Sequence, residues 1–321
     1  MTASSTVGRI SQLDKSTVGK LKAGCNFINA EIARVRGRIT VVAAIVALLA
    51  FILYGVMWSN GTRDPRFPLF GALIIIVAFG MWEHRKLSKT YKTIVVRRVV
   101  DALGDGLSYS ADSRFTKQDF LDMDLFNLRC EQWRAEDEVC GRKNAVSYSI
   151  LEAKATRTEG SGKNRRTITI FKGVIVRLDF NKHFQGHTVV VPNSESQILG
   201  GLFGESASRR RKDLCRMENV EFEDAYSVYA SDQQEARYIL TPKLMELIMR
   251  TRATLSDGLR VSFHDNSVFL TLPGMGNRFE VKLFGGAVTP ESIVGELVEV
   301  VQLAERLVDT LDLETRIWTR V

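Results

Sequence analysis

Two long apolar stretches near the start of the chain dominate its pattern of hydrophobic and polar positions. Ile39–Trp58 and Phe67–Trp82 carry no charged residue, and only the polar segment SNGTRDPR separates them. An α-helix rises about 1.5 Å per residue, so the first stretch is long enough to cross a hydrocarbon core of about 30 Å, and the second is slightly short. The pattern predicts a transmembrane hairpin, with spans over about residues 39–58 and 67–82.

Two other interpretations of these stretches fit the sequence less well. A cleaved signal peptide has its apolar run soon after a short basic region and ends at small residues. Here the first run starts near residue 39 and ends in YGVMWSN. A hairpin buried in a soluble core is the second alternative, and the length of the uncharged runs argues against it.

The basic residues around the two stretches predict their orientation. Positive charge accumulates on the cytoplasmic side of membrane proteins, and Trp side chains favour the interface. The connecting loop holds Arg63 and Arg66, partly offset by Asp64, whereas both flanks are strongly basic, with Arg9, Lys15, Lys20, Lys22, Arg34, Arg36 and Arg38 before the first stretch and Arg85, Lys86, Lys89, Lys92, Arg97 and Arg98 after the second. Both termini are therefore expected in the cytoplasm, with Trp58 and Trp82 at opposite faces of the bilayer.

Residues 18–39 carry a second regular pattern. Apolar residues alternate at steps of three and four: Val18, Leu21, Cys25, Ile28, Ile32, Val35 and Ile39. This is the a/d spacing of a coiled coil, so the segment is a candidate contact for a homo-oligomer. An amphipathic helix that lies on the membrane, or packs against the chain's own soluble part, gives the same pattern. The spacing leaves these alternatives open.

The remaining chain predicts a soluble α+β domain. A basic helix is expected to leave the bilayer and to end at the glycines 104 and 106. Strand-like alternation begins at Asn144, with hairpins in AVSYSILEAKATR–RRTITIFKGVIVRLDF and LRVSFHDNSVFLTLP, and further strands in HTVVVP and FEVKLF. Helices are predicted in TKQDFLDMDLF, where Thr116 and Asp119 form a capping pair, and after Thr289 at the end of the chain.

These patterns divide the chain into four parts. They are an amphipathic or coiled-coil-like helix over 1–38, the transmembrane hairpin over 39–82, a linker helix over 83–103, and a cytosolic domain over 104–321. The fold class of that domain is α+β, an antiparallel sheet with helices segregated to one face or end.

Composition adds little chemistry. The net charge of +7 lies largely beside the spans, where anionic lipid is the natural counter-charge, so no nucleic acid is inferred as a partner. The four cysteines are scattered without a CxxC pair and are expected to be reduced. His183 and His187 in FNKHFQGH have no third ligand near them in sequence, so neither a metal nor another cofactor is expected.

Residues 229–242, YASDQQEARYILTP, look most like a functional signature. Asp232 and Glu235 have the spacing of a helix N-cap and a reciprocal partner that reaches back to it. A short helix from Gln233 to about Ile239 is predicted to follow, and Thr241-Pro242 begins a second one. Arg237 is then the polar residue without a structural role. These three charged residues are the candidates for a ligand or ion-pair site.

A basic run offers a second candidate. Arg209, Arg210, Arg211 and Lys212 follow a Gly- and Ser-rich stretch. Each basic residue close to an anionic leaflet can contribute about 1 kcal/mol of binding free energy, so the run is a candidate membrane-surface contact. A solvated run of charges is the alternative. No catalytic residue is assigned, since GxxxxGK[ST], GxSxG and HExxH are all absent.

Three strings occur in an order that resembles a known family: TIFKGVIVRLDFNKHFQGHTVVVP, YASDQQEARYILTPKLMELI and ETRIWTR. They resemble the uncharacterised bacterial membrane proteins known as domain of unknown function 3137, from about residue 100 to the end. The resemblance implies a bacterial inner-membrane location, two N-terminal spans and a LemA-like membrane protein as a partner. It implies no reaction or cofactor. This chain departs from the family at His187 and in the arginine-rich insertion near residue 209.

The sequence therefore favours a non-enzymatic, membrane-anchored binding or scaffold protein. The alternative is an enzyme of unrecognised type that acts on a membrane-proximal substrate. That alternative predicts a concave pocket that holds Asp232, Glu235 and Arg237 together. A subunit of a larger membrane complex, with residues 18–39 as the contact, is the third hypothesis.

Overall fold

The computed structural model describes residues 15–60, 64, 66–103, 106–126, 129–144, 146–179, 184–193, 214–276, 280–281 and 283–315. The chain divides into two compact units, and both are discontinuous in sequence. The first consists of Met1–Ala102 and Phe279–Gly295, and the second of Leu103–Arg278 and Glu296–Val321.

Long helices form most of the first unit. Helix α1 runs over Lys15–Ser59 and α2 over Arg66–Tyr91, followed by a π-helical turn over Lys92–Val96 and by α3 over Arg97–Leu103. Two stretches, Val18–Ser59 and Arg66–Asp101, are long and apolar enough to cross a membrane, judged by length and composition. Few of their most apolar residues are buried, so they are not core helices of the kind that a soluble protein encloses.

The N-terminal part of α1 differs from the part that follows. Leu21, Cys25, Ile28, Ile32 and Val35 are all buried, so the stripe predicted from the sequence is packed within the folded chain. At Gly24 the helix comes close to the π-helical turn, because a Cβ there would lie 3.7 Å from the Arg98 side chain and 3.9 Å from that of Val95. A contact with a second copy through this stripe stays a prediction.

An ion pair joins the two helices where their apolar stretches begin and end. The side chain of Glu83 is 2% exposed, and its Oε2 lies 3.2 Å from Nη2 of Arg38, whose side chain is 46% exposed. Glu83 Oε2 and the Arg38 guanidinium are close enough for an ion pair, but their geometry is not that of a hydrogen bond. A buried carboxylate needs a charge partner, so this pair fixes the register of α1 against α2.

The second unit is built on an antiparallel sheet. The described strands follow the order β1-β2-β3-β4-β9-β8-β5-β7-β6, and every pairing is antiparallel. Their bounds are β1 Ser108–Asp112, β2 Gln132–Lys143, β3 Val146–Glu159, β4 Arg166–Asp179, β5 Thr188–Pro192, β6 Leu214–Cys215, β7 Tyr226–Ala230, β8 Arg260–His264 and β9 Ser267–Pro273. The α+β class predicted from the sequence is confirmed.

Four of the five described α-helices of this unit begin where the sequence predicts, and α5 was not predicted. Helix α4 (Lys117–Asp122) starts at Thr116, which forms a complete capping box with Asp119. The others are α5 Val220–Ala225, α6 Gln233–Ile239, α7 Pro242–Thr254 and α8 Pro290–Thr315. Helix α8 turns an apolar stripe inward that includes Val300, Val301, Ala304, Leu307, Val308 and Leu311.

The strand predictions succeed for the hairpins and fail at two other places. The β3–β4 and β8–β9 hairpins form as predicted. Strands begin well before Asn144, because β1 and β2 precede it. The strand expected in FEVKLF is wrong, since the described residues 280, 281, 283 and 284 follow an irregular path. Their backbone groups bond to helix side chains of the first unit instead of to a neighbouring strand.

Aromatic side chains form a core on one face of the sheet. Phe120 lies at its centre, with ring centroids 4.7 Å from Trp133, 5.0 Å from Phe126 and 6.2 Å from Phe171. Phe115 and Phe269 also pack there, and the short helix α4 delivers Phe120 to this cluster. Large aromatic groups contribute much of the burial free energy of a domain, so the capping box that starts α4 also secures the core.

At Gly173 the backbone of the neighbouring strand leaves no room for a side chain. Gly173 pairs with Pro273 between β4 and β9, and a Cβ there would lie 2.1 Å from the carbonyl oxygen of Leu272. Because the obstacle is backbone, the strands must move apart to relieve it. We therefore expect Gly173→Ala to destabilise the fold by about 3 kcal/mol, the upper part of the range for overpacking.

The measurement is thermal unfolding of the full chain in mild detergent, followed by circular dichroism. The expected loss corresponds to a fall of roughly 6–12 °C in the unfolding temperature. Gly276→Ala is the matched control, because the nearest atoms to its Cβ would be side-chain carbons of Lys172 at 3.4 Å. Equal unfolding temperatures for the two variants would contradict the prediction.

Candidate functional site

The 229–242 motif lies at the junction of β7, α6 and α7. Asp232 is the N-cap of α6, and its Oδ1 accepts the backbone N–H groups of Gln234 at 2.8 Å and Glu235 at 3.1 Å. Thr241 caps α7 by accepting the N–H of Leu244 at 3.3 Å, with Pro242 in the first turn. Both helix starts predicted from the sequence are confirmed.

Glu235 does not reach back to Asp232, contrary to the prediction. Its carboxylate accepts the backbone N–H groups of Gln185 at 2.9 Å and Gly186 at 2.6 Å, in the connection between β4 and β5. The fit is close, because a Cβ on Gly186 would lie 3.0 Å from both Glu235 Oε2 and Ser231 Oγ. Two charge-assisted hydrogen bonds thus attach the start of α6 to the turn that precedes β5.

Ser231 completes this attachment. Its Oγ accepts the N–H of His187 at 2.8 Å, and its own N–H donates to the carbonyl oxygen of His187 at 3.0 Å. These bonds extend the β5–β7 pairing, in which Thr188 lies opposite Ala230, by one further position. We call Ser231, Asp232, Glu235 and the turn Gln185–His187 the α6 clasp.

Arg237 lies apart from the clasp. The guanidinium donates to the carbonyl oxygen of Arg216 at 3.3 Å and to Oε1 of Gln233 at 3.4 Å, and the side chain is exposed. Both contacts are long, and neither involves a carboxylate. The structure therefore brings Glu235 and Asp232 to one clasp and directs Arg237 toward β6.

His187 packs against a second histidine and is not part of a cluster of metal-ligating side chains among the described residues. Its ring lies 4.7 Å from that of His264 between centroids, and its Nε2 is 3.1 Å from Oγ of Ser262. His183 lies outside the described residues. Within the described ranges, no group of three or more His, Cys, Asp and Glu side chains could hold a metal ion.

A cleft of 240 Å³ opens at the edge of the sheet formed by β6 and β7. We call it the β6–β7 cleft, and its lining residues are Asn193, Leu214, Cys215, Arg216, Met217, Glu223, Tyr226, Ser227 and Val228. Asp232, Glu235 and Arg237 are not among them. The pocket that the enzyme hypothesis required around those three residues is therefore not this cleft.

Most polar groups of the cleft bond to one another. Ser227 Oγ donates to Oδ1 of Asn193, and Asn193 Nδ2 donates to the carbonyl oxygen of Glu223, both at 2.6 Å. The Glu223 carboxylate accepts the N–H of Met217 at 2.7 Å. Arg216 differs from them, because its side chain is 78% exposed and lies 3.7 Å from Glu223. It is the cation that a ligand in the cleft would meet first.

The two reactive side chains of the cleft are held in their neutral forms. Burial raises the pKa of the Cys215 thiol, although the nearby Arg237 acts in the opposite direction. A thiol in this state is not an activated nucleophile. Burial also raises the pKa of Tyr226, whose ring lies 5.4 Å from the Arg252 guanidinium.

The candidate membrane-surface residues lie outside the residues that the structure describes. Arg209, Arg210, Arg211 and Lys212 fall within residues 194–213, which the structure does not describe. Sequence reasoning also missed the β6–β7 cleft. Strand β6 has two residues and β7 has five, so neither gives a periodic signal of useful length.

We expect Glu235→Ala to destabilise the second unit by about 2 kcal/mol, because two backbone N–H groups lose a charged acceptor. Glu235→Gln keeps one acceptor oxygen and should lose about half as much. Thermal unfolding of the full chain gives both values. Gln234→Ala, on the exposed face of the same helix, is the control and should change the stability by about 0.5 kcal/mol or less. A loss of that size for Glu235→Ala as well would rule out a role in holding the turn.

Three comparisons with known proteins bear on this geometry. Residues 169–313 match the family model described as Protein of unknown function (DUF3137), which confirms the resemblance seen in the sequence over that range. Among curated proteins, no match was found. Among solved structures, the crystal structure of the mycobacterial trehalose monomycolate transport factor A, TtfA, is similar with 11% identity and a TM-score of 0.35, covering 71% of this chain and 97% of that chain. A likeness at that score carries no argument about fold or function.

Proposed function

We propose that this protein is a non-enzymatic binding or scaffold protein of the bacterial inner membrane. In this proposal α1 and α2 form a transmembrane hairpin, both termini are cytoplasmic, and the second unit is a binding domain tethered at the inner leaflet. The chain passes into that unit at residues 102–103, directly after the helix that follows the second apolar stretch.

The observation that carries the proposal is the exposure of apolar side chains along α1 and α2. Their outward residues include Phe51 and Phe67, both 74% exposed, together with Leu48, Leu49, Ile52, Leu53, Leu69, Phe70, Leu73, Ile74 and Ile75. Soluble proteins rarely expose apolar patches of more than a few hundred Å². The hydrocarbon core of a bilayer would cover this surface, since both helices satisfy their own backbone hydrogen bonds.

Aromatic and basic residues at the helix ends support the same arrangement. Trp58 and Trp82 are half exposed at the ends of the two apolar stretches, where amphipathic rings favour the headgroup level. Lys86 follows one turn after Trp82, with its Nζ 5.7 Å from the ring centroid. Long basic side chains at this position can extend toward the headgroups while their methylene groups cover apolar surface.

In the second unit, the β6–β7 cleft is the surface that we assign to ligand binding. It lies at an edge strand, combines apolar and polar groups, and presents the exposed guanidinium of Arg216. Ligand sites in proteins are concave and carry a small number of placed polar groups, as this cleft does. The α6 clasp, by contrast, uses its carboxylates to hold the chain in place.

Three partners belong to the proposal. Anionic lipid would meet the basic run Arg209, Arg210, Arg211 and Lys212. A second copy of the chain would meet residues 18–39, and a LemA-like membrane protein is the partner that the family resemblance implies. If the domain lies beside a charged leaflet, as proposed, anionic lipid is the partner that its basic run would reach.

Charges placed in the middle of both apolar stretches should prevent insertion. Leu49 and Ile75 are exposed near their centres, and an Arg at the centre of a span costs about 2.5–3.5 kcal/mol of insertion free energy. We expect the full chain to remain with the membrane pellet after alkaline carbonate extraction. The double variant Leu49→Arg, Ile75→Arg should be largely released.

Val220→Arg is the matched control, because Val220 is an exposed apolar residue of the second unit and its substitution should leave the chain in the pellet. In intact cells that carry Cys140→Ser, an impermeant maleimide should label Asn60→Cys and spare Val220→Cys. Release of the unmodified chain by carbonate would exclude an integral membrane protein. Labelling of Val220→Cys from outside would exclude the orientation.

The basic run should draw the second unit toward anionic lipid. A donor dye on Val220→Cys, in the Cys140→Ser background, reports the distance to an acceptor in the headgroups of a nanodisc. We expect higher energy transfer with phosphatidylglycerol present than in phosphatidylcholine alone. Replacing Arg209, Arg210, Arg211 and Lys212 by Gln should make the energy transfer equal in the two lipid compositions. The four basic residues together contribute about 4 kcal/mol of binding free energy at most, and the substitutions remove that contribution.

The control removes the same charge at four exposed lysines of the second unit, Lys117, Lys154, Lys172 and Lys243. This control distinguishes the effect of the basic run itself from the effect of a lower net charge. Equal loss of energy transfer in both quadruple variants would contradict a specific contact by the run.

A further inference from the structure

Phe284 is an apolar residue of the first unit whose side chain is exposed. Its side chain is 81% exposed, more than any residue on the apolar stretches of α1 and α2, although it lies outside both helices. It belongs to the irregular segment 283–289, which precedes α8. A single exposed apolar residue is common on protein surfaces, so what matters is how the fold holds Phe284 in this position.

Arg36 holds the chain on both sides of Phe284. The guanidinium donates from Nε to the carbonyl oxygen of Leu283 at 2.5 Å and from Nη2 to that of Gly285 at 3.4 Å. The two flanking carbonyl groups therefore face α1, and the Phe284 side chain is presented on the outside. This exposure results from a specific pair of contacts.

Two further contacts fix the path of the segment along the helices. His84 Nε2 lies 3.2 Å from the carbonyl oxygen of Val281, which is itself buried. Asn29 makes two hydrogen bonds with Val288, from Nδ2 to the carbonyl oxygen and from the Val288 N–H to Oδ1, both at 2.9 Å. The segment is thus attached before, at and after Phe284.

The attachment to α1 also sets the depth of Phe284. Arg36 precedes Ile39, the first residue of the uncharged stretch, by three positions, or about 4.5 Å along the helix axis. Headgroup regions account for about 5–7 Å on each side of the hydrocarbon core. If α1 spans the bilayer, the Arg36 level therefore falls within the headgroup region, and a Phe side chain there reaches the acyl boundary.

We propose that the segment 283–285 is a membrane-interface anchor that inserts Phe284 into the cytoplasmic leaflet. The occupant of this surface is lipid, because Arg36 holds Phe284 at the level of α1 where the uncharged, exposed stretch begins. This inference rests on the proposed function. It adds an attachment in the connection between β9 and α8, which is remote in sequence from the hairpin itself.

Spin labels on the full chain in phosphatidylcholine–phosphatidylglycerol nanodiscs test the anchor. Cys140 is the exposed native thiol among the described residues, so Cys140→Ser provides the background. Labels are placed at Phe284→Cys, at Ala287→Cys as a matched site in the same segment, at Leu49→Cys within the span and at Val220→Cys in the second unit. Collision rates with oxygen, which concentrates in lipid, and with a water-soluble nickel chelate measure the depth of each label.

We expect the ratio of oxygen to nickel collisions at position 284 to exceed that at 220 several-fold and to approach that at 49. The collision ratio at position 287 should resemble that at 220. Position 287 is next to Val288, which binds Asn29, and Asn29 lies about 10 Å farther from the span than Arg36 does. Adding Arg36→Gln should lower the ratio at 284 and leave the ratio at 49 unchanged. A merely exposed side chain would show no such dependence on Arg36.

The outcomes separate this inference from the proposal on which it rests. A lipid-like value at 49 with a water-like value at 284 overturns the anchor and leaves the hairpin intact. A water-like value at 49 overturns the membrane-spanning proposal itself. A label at 284 that neither reagent reaches indicates a protein contact, for example with a second copy, and also overturns the anchor.

Discussion

The first unit depends on a change in the burial of apolar side chains along a single helix. Before Ile39, α1 buries one stripe that includes Cys25, Ile28 and Val35, as a helix does in water. Beyond that residue its apolar side chains are exposed, with Phe51 among the most open. Burial of apolar surface is the dominant favourable term in folding. A buried stripe and an exposed apolar surface can therefore occur in one helix when its two parts have different surroundings. The first unit is organised around that boundary.

The charged groups near the boundary follow from the same constraint. Arg38 pairs with the buried Glu83, Arg36 binds two backbone carbonyl groups, and His84 binds a third. Each of these side chains has a partner within the first unit, which lowers the cost of holding polar groups next to an apolar surface. The segment 280–288 supplies several of those partners. This is why residues that look like a strand in the sequence are irregular in the fold.

Local chemistry could be predicted from the sequence, whereas long-range partners could not. The caps at Thr116, Asp232 and Thr241 depend on neighbouring residues and were predictable. Strand β2 was hidden because Asp137, at a bulge with φ of 57°, is buried against Tyr109 and breaks the alternation. The Glu235 carboxylate follows the capping-box spacing, yet it binds a turn about fifty positions earlier in the chain. No spacing rule contains that contact.

The position of β5 explains why the most signature-like stretch of the sequence is structural. Strand β5 pairs with both β7 and β8 and is the third strand from the β6 edge of the sheet. The chain reaches it through a turn whose N–H groups need acceptors. Asp232 and Glu235 together accept four backbone N–H groups, two in α6 and two in that turn. Carboxylates used in this way hold the start of α6 and the turn before β5 in place. At the β6–β7 cleft, by contrast, the guanidinium of Arg216 is largely exposed and lies 3.7 Å from Glu223.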